Sequence, residues 1–337
     1  MILLGTLILA SACNNSRRIS STELLNIPSS SYTAYAQLPI SSAGYTNFKD
    51  FSSLPSPFSS DSICIYAVNN SKFVQAYTLE GDYRAKFPTA ISGNTITSIQ
   101  DFTAKYRGNV HLLIISETST NKLLTYTIDT NKHTLEDITS GEFFSAVDEI
   151  RITNSYYSTK QNAYYLFVAG KRGMIEQWEL KDDGYGHVEG KIISVFNVLD
   201  SPSAMTIDAE NDILYIAVNN EGIYQLSTLP TMAKNPTPLL LIQDNQKYFS
   251  KSFGGMAYAK PTSKCPTGSL MINNPDNSTF WRLDLSAKVI VEQLFVHGQQ
   301  DFNDVKKSMV IKPLYGSESQ YILSDNDNNG EGVKLIH

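Results

Sequence analysis

The chain has 337 residues, a net charge of −6, 11% aromatic residues with 19 tyrosines, and only 18% charged residues. That length carries one large domain or two ordinary ones, and the sparse charge with dense aromatics points to a β protein and away from a helical bundle or a disordered chain. The acidic balance, with no basic run and no nucleic-acid motif, excludes a grip on a phosphate backbone, so no nucleic-acid partner is expected.

The first element is apolar. Residues 2–12 read ILLGTLILASA, which is the length of a signal-peptide core and too short to cross a bilayer as a helix. The run ends in small residues directly before Cys13, which resembles the processing site of bacterial lipoproteins, where the cysteine thiol receives the lipid. We read 1–12 as a signal peptide and Cys13 as the lipidation site, with a plain secretory signal, or a cytoplasmic protein with an apolar start, as the alternatives. Residues 13–50 are rich in Ser and Asn and hold no hydrophobic period, the composition of a flexible tether. The folded domain is then expected over 51–337. The expected location is a bacterial cell envelope, at the outer membrane or the periplasmic face, with the protein exported and held to the membrane by its lipid.

Six hairpin patterns follow along the chain. SICIYAVNNSKFVQAYTL starts at Ser62, VHLLIISETSTNKLLTYTI at Val110 and YYLFVAGKRGMIEQWEL at Tyr164. ILYIAVNNEGIYQL starts at Ile213, GSLMINNPDNSTFWRLDL at Gly268 and QYILSDNDNNGEGVKLI at Gln320. Each is an apolar strand, a short Asn/Gly/Ser turn and a second strand, the signature of a β-hairpin. Their spacing of ~50 residues is that of a propeller, because it leaves room for two more strands per repeat. The expected fold is an all-β, six-bladed β-propeller; a β-sandwich is the alternative.

Residues 156–226 contain a strand ending in Gly170-Lys171-Arg172-Gly173, then Glu176-Gln177-Trp178-Glu179-Leu180. An Asp/Gly turn, Gly190-Lys191, a Met205-to-Asp208 stretch and Leu214-Tyr215-Ile216-Ala217 follow. In this order of pieces the chain resembles the calcium-dependent β-propeller phytases. Thinner agreement runs through Tyr77-Thr78-Leu79-Glu80-Gly81, Tyr126-Thr127-Ile128-Asp129, Asp148-Glu149, Gly255-Met256 and the last hairpin. The resemblance implies a six-bladed propeller that releases phosphate from phytate, an inositol ring carrying six phosphates. It also implies several Ca²⁺ ions in a cleft at one end, held by acidic side chains because hard cations take oxygen ligands. The ions would polarise the phosphoryl group and activate a water, while Lys and Arg bind phosphate oxygens.

The chain departs from that pattern at most of the implied positions. Leu54-Pro55-Ser56-Pro57-Phe58 stands where the family has paired aspartates. Asn70-Ser71 replaces a lysine pair, with Lys72 one step away. Thr118 replaces an arginine, Arg151 a tyrosine and Ser203 a glutamate. Val218-Asn219-Asn220 replaces an acidic turn, and Ser252-Phe253-Gly254-Gly255 replaces an Asp-x-Glu-Gly motif. Neutral Asn and Ser do not balance clustered dications. The resemblance therefore implies a divergent member with a degraded active site, and no catalytic residue is assigned. Lys171, Arg172 and Lys72 are the candidate phosphate-binding residues, with Arg151 as an addition if the fold brings it there.

Asp325, Asp327 and Asn329 open a loop of the D-x-D-x-N-G type. Its twelfth residue is Ile336 and not Glu, so it is either a single calcium site or an ordinary Asn/Asp-rich turn. With Cys13 assigned to the lipid, Cys64 and Cys265 form either a disulfide or, for Cys64 in SICIYAV, a buried small apolar side chain. The five histidines lack metal-site spacing, and Trp178 and Trp281 read as packing residues. Two functions stay open. One is a non-catalytic module that binds a small anionic ligand or a partner envelope protein. The other is a calcium-dependent phosphohydrolase of the 3-phytase type.

Overall fold

The computed structural model describes residues 29–37, 48–55, 63–69, 73–78, 83–88, 96–104, 110–117, 121–129, 134–137, 143–182, 187–229, 237–243, 253–274, 279–297, 311–314, 321–324 and 333–336. Among them no helix occurs, and the strands fall into sheets that follow one another along the chain. Strand β1 (Ser29–Gln37) comes first. The next sheet holds β2 (Phe48–Pro55), β3 (Ile63–Asn69), β4 (Phe73–Tyr77) and β5 (Tyr83–Pro88). It is followed by β6 (Ile96–Ala104), β7 (Val110–Glu117) and β8 (Lys122–Asp129), with β9 (Thr134–Asp137) and β10 (Phe143–Phe144) both pairing with β8. A third sheet holds β11 (Ile150–Ser158), β12 (Ala163–Gly170), β13 (Met174–Asp182) and β14 (Val188–Asn197). A fourth holds β15 (Pro202–Asp208), β16 (Ile213–Val218), β17 (Gly222–Ser227) and β18 (Leu239–Gln243). The remaining strands are β19 (Met256–Ala259), β20 (Ser269–Asn274), β21 (Thr279–Asp284), β22 (Val289–His297), β23 (Ile311–Pro313), β24 (Tyr321–Ser324) and β25 (Val333–Ile336). They share one eight-stranded sheet in the order β19-β20-β21-β22-β1-β25-β24-β23.

All six hairpins of the sequence are present as antiparallel pairs: β3/β4, β7/β8, β12/β13, β16/β17, β20/β21 and β24/β25. Four of them sit in separate sheets and two share the eight-stranded one. The first strands of successive units lie side by side, β2 against β6, β6 against β11, β11 against β15, β15 against β19 and β19 against β23. Sheets packed face against face around such a row of inner strands form a β-propeller arrangement.

The middle strands read as unbroken apolar runs because both of their faces are covered. On β12, Leu166 and Val168 pack with Leu123, Val147 and Ile150. Tyr165, Phe167 and Ala169 on the opposite face pack with Leu214, Ile216 and Val218 of the next sheet. Ala217 and Tyr215 then meet Leu270 and Ile272. Each fully buried side chain of this kind contributes about 1.5–3 kcal/mol, so each interface between sheets is a core in itself. Trp178 and Trp281 are buried in these clusters, as packing residues.

Two expectations change. The stretch 13–50 contains β1, whose first half pairs parallel with β22 and whose second half pairs antiparallel with β25. The sheet therefore takes in residues that the sequence assigns to a spacer, since SSSYTAYAQ has strand-forming Tyr and Thr without an apolar run. Cys64 and Cys265 are both buried and are not joined in a disulfide, so the disulfide alternative falls and the buried reading of Cys64 holds.

Candidate functional site

The turn joining β12 to β13 carries Lys171 and Arg172, and backbone geometry fixes it. Gly173 has φ +83°, and a Cβ there would lie 2.4 Å from the Val198 carbonyl oxygen, so only glycine fits without strain. The Val198 N–H donates to the Gly173 carbonyl at 2.9 Å, which ties the turn to the chain leaving β14. On the other side, the Lys171 N–H donates to the Glu149 carbonyl at 3.0 Å. The register of β11 on β12 pairs Ile150 with Gly170 and then slips before Ile152, so Arg151 is the extra residue of a bulge. A bulge re-aims its side chain, and here Arg151 reaches the same place as Lys171.

The segment that supplies Asp148 and Glu149 is pinned from two directions. The Asn121 amide donates to the Val147 carbonyl at 2.5 Å and accepts from the Ile150 N–H at 3.3 Å. The buried Glu176 carboxylate accepts from the Ser145 hydroxyl and the Ala146 N–H, both at 2.7 Å, and from the Trp178 indole at 2.9 Å. A buried carboxylate satisfied by three donors is a rigid support.

The result is an open cleft of ≈ 530 Å³ lined by Asp148, Glu149, Arg151, Lys171, Arg172, Asp200 and Ser201. Its ion pairs interlock. Glu149 lies between Lys171 (Nζ to Oε2, 3.2 Å) and Arg151 (Nη2 to Oε1, 3.5 Å). Asp148 takes the Arg172 N–H on Oδ1 at 3.2 Å and the Arg172 Nε on Oδ2 at 3.5 Å. Asp200 Oδ1 accepts from the Ser201 N–H at 2.6 Å. Three carboxylates face three cations, and the oxygens of Asp148 and Glu149 are all engaged within the chain. The cations keep donors to spare. An ammonium has three N–H groups and a guanidinium five, and each of these side chains makes one described contact to a carboxylate. Arg151, Lys171 and Arg172 are 44%, 52% and 86% exposed. The cleft thus presents N–H donors beyond those that Asp148 and Glu149 occupy, an arrangement suited to anions.

A cluster of Ca²⁺ ions does not fit this donor set. Clustered dications need unneutralised carboxylates within a few ångströms, and here each cleft cation takes up acidic charge. Among the described residues no group of three His, Cys, Asp or Glu side chains is placed to hold a metal. Other positions of the implied family site serve the fold. Asn219 Oδ1 accepts the Phe253 N–H at 2.9 Å, Gly254 and Gly255 exchange backbone bonds with Asn273, and the Ser203 hydroxyl donates to the Ala217 carbonyl at 3.2 Å.

Of the sequence candidates, Lys171 and Arg172 are therefore brought together, and Arg151 joins them. Lys72, Asp325, Asp327, Asn329 and Cys13 lie outside the described residues. Sequence reasoning missed Asp148, Glu149, Asp200 and Ser201 as cleft residues. Asp148-Glu149 stood out only as part of the resemblance, and its place opposite Lys171 depends on the register of β11 with β12.

Comparison with known proteins follows the same line. A family model described as Phytase matches residues 4–237. The 3-phytase of Bacillus subtilis (strain 168) is 33% identical over 112 residues, which is 33% of this chain and 29% of that relative, so the match spans under a third of the relative's length. Among solved structures, the crystal structure of BBS1N in complex with ARL6DN, soaked with lead, is similar at a TM-score of 0.51 and 11% identity, covering 85% of this chain and 77% of that one. At such identity the likeness concerns the fold alone. A mercury-soaked crystal of the same complex aligns at a TM-score of 0.49, over 81% of this chain and 74% of that one. With more than half of its length matched by the family model, the chain belongs to the phytase family.

Proposed function

We propose that this protein is a phytase-like propeller that binds an anionic ligand without turning it over, and that it does so without calcium. One observation carries the reading: Asp148 and Glu149 are paired with Arg151, Lys171 and Arg172, whose side chains stay exposed at the cleft with N–H donors beyond those pairs. A phosphate ester fits such donors, because its oxygens accept several charge-assisted hydrogen bonds at once. The propeller has six blades in this reading. The eight-stranded sheet supports this, since β1 joins a group of four strands to a group of three and supplies the latter's fourth. The unbroken row of six inner strands supports it too. Export, lipidation at Cys13 and residence in the cell envelope complete the proposal, so that the cleft meets its ligand or a partner envelope protein outside the cytoplasm.

The second reading is a calcium-dependent phosphohydrolase acting on phytate, favoured by membership of the phytase family and by the match to a 3-phytase. Family membership is a weaker guide than the site itself. Calorimetric titration of phytate into the full chain in chelator tests the first reading. Binding that persists in chelator, and falls about tenfold or more in Lys171→Ala, Arg172→Ala or both (~1.4 kcal/mol or more), is the expected result. Binding only when calcium is added would overturn it.

A further inference from the structure

Glu149 occupies the place an anion would take. Its carboxylate is clasped from one side by the Lys171 ammonium at 3.2 Å and from the other by the Arg151 guanidinium at 3.5 Å. It reaches that position from a firmly held backbone, because its carbonyl accepts the Lys171 N–H and its neighbour Asp148 anchors Arg172. The side chain is nevertheless 33% exposed, so part of it already meets water. Resting on the anion-binding reading, we propose that Glu149 is an internal competitor: a tethered carboxylate that fills the cleft when ligand is absent and must be displaced when ligand binds.

The ligand class follows from the charge. A monoanion that displaces one carboxylate gains no net Coulomb energy and loses the advantage of a tethered group, whose effective concentration is high. A ligand with two or more adjacent negative charges gains on both cations and can also reach Arg172, which stands at the same cleft. The cleft is therefore selective for polyanions, and Glu149 sets the threshold. Glu149 is a specificity-determining residue in this account, and it does no chemistry.

The test uses inorganic pyrophosphate and acetate as probes, titrated calorimetrically into the full chain in chelator, with Glu149→Gln and Glu149→Ala as variants. Removing one negative charge about 5 Å from a dianion in water-like surroundings changes affinity by about tenfold. The expected result is tighter pyrophosphate binding by about that factor in both variants, and acetate binding that becomes detectable only in them. Pyrophosphate binding to the native chain with equal or weaker binding to both variants would overturn the competitor role and leave anion binding intact. No pyrophosphate binding to the native chain or to either variant would overturn the anion-binding reading itself, and with it this inference.

Discussion

Asp212 shows how single residues carry the joints between sheets. It sits in the turn between β15 and β16 at φ 55°, a left-handed position that aspartate tolerates. The Tyr156 hydroxyl donates to its Oδ1 at 2.9 Å and the Lys160 ammonium lies 3.1 Å from its Oδ2. Burial alone would raise this carboxyl. Hydrogen bonds from Ser158, Tyr156 and Lys160, with the Lys160 charge, outweigh it and hold the group below its ordinary 3.8. A carboxylate so depressed stabilises the fold above its unfolded value, and the contribution is lost as pH falls through the folded value. Asp212→Asn keeps the backbone geometry and removes the charge. It should cost about 1–3 kcal/mol near neutral pH, measured by denaturant unfolding, and the difference from the native chain should shrink below pH 3.8. A difference constant down to pH 2 would contradict this. Burial likewise pushes the Tyr215 hydroxyl up to about 12, with the Asp208 charge adding to it. The residue scale was the least legible in sequence. Lys171 and Arg172 announce themselves as a charged turn, but Arg151 joins them at a one-residue slip in the β11–β12 register, which sequence does not show.

At the scale of elements, the β12–β13 turn is the site's main support. Gly173→Ala would force a Cβ against the carbonyls of Val198 and Asp200, at a left-handed φ that costs of order 1–3 kcal/mol for a side chain held there. The expected outcome is a lower melting temperature together with weaker anion binding, since Lys171 and Arg172 move with the turn. Unchanged affinity would mean that the turn does not orient them. The hairpins were legible because their strands are covered on both faces, so burial writes itself as runs such as FVAG and ILYIAV. The same cause hid β1. Its sequence SSSYTAYAQ lacks such a run, and what makes it a strand is the pair of strand edges, from β22 and β25, that it joins.

For the whole molecule, β1 lies between β22 and β25 and joins the two halves of the eight-stranded sheet. Removing residues 1–28 leaves it in place, whereas removing 1–37 opens the edges of both β22 and β25. Each lost backbone hydrogen bond costs about 1 kcal/mol, and exposed edges invite association. The longer deletion should melt at a clearly lower temperature and self-associate, and the shorter one should match the native chain. Equal melting temperatures would show that β1 does not hold that sheet together. The family was also legible at this scale, because the order of strands, turns and glycines across 156–226 is a pattern of the scaffold. The chemistry was legible chiefly as replacement, Asn219 and Gly254 standing where the resemblance implies acids, and the structure gives both residues backbone duties instead.

In the proposed reading the scaffold is a phytase's and the chemistry is not. Phosphate release from phytate, followed with the full chain in millimolar calcium and in chelator beside an active phytase of the family, tests it most directly. No release above the uncatalysed rate is expected in either condition, from protein that remains folded. Calcium-dependent release would contradict it, and would mean that ligands beyond the cleft of Asp148, Glu149 and Lys171 assemble a working metal site.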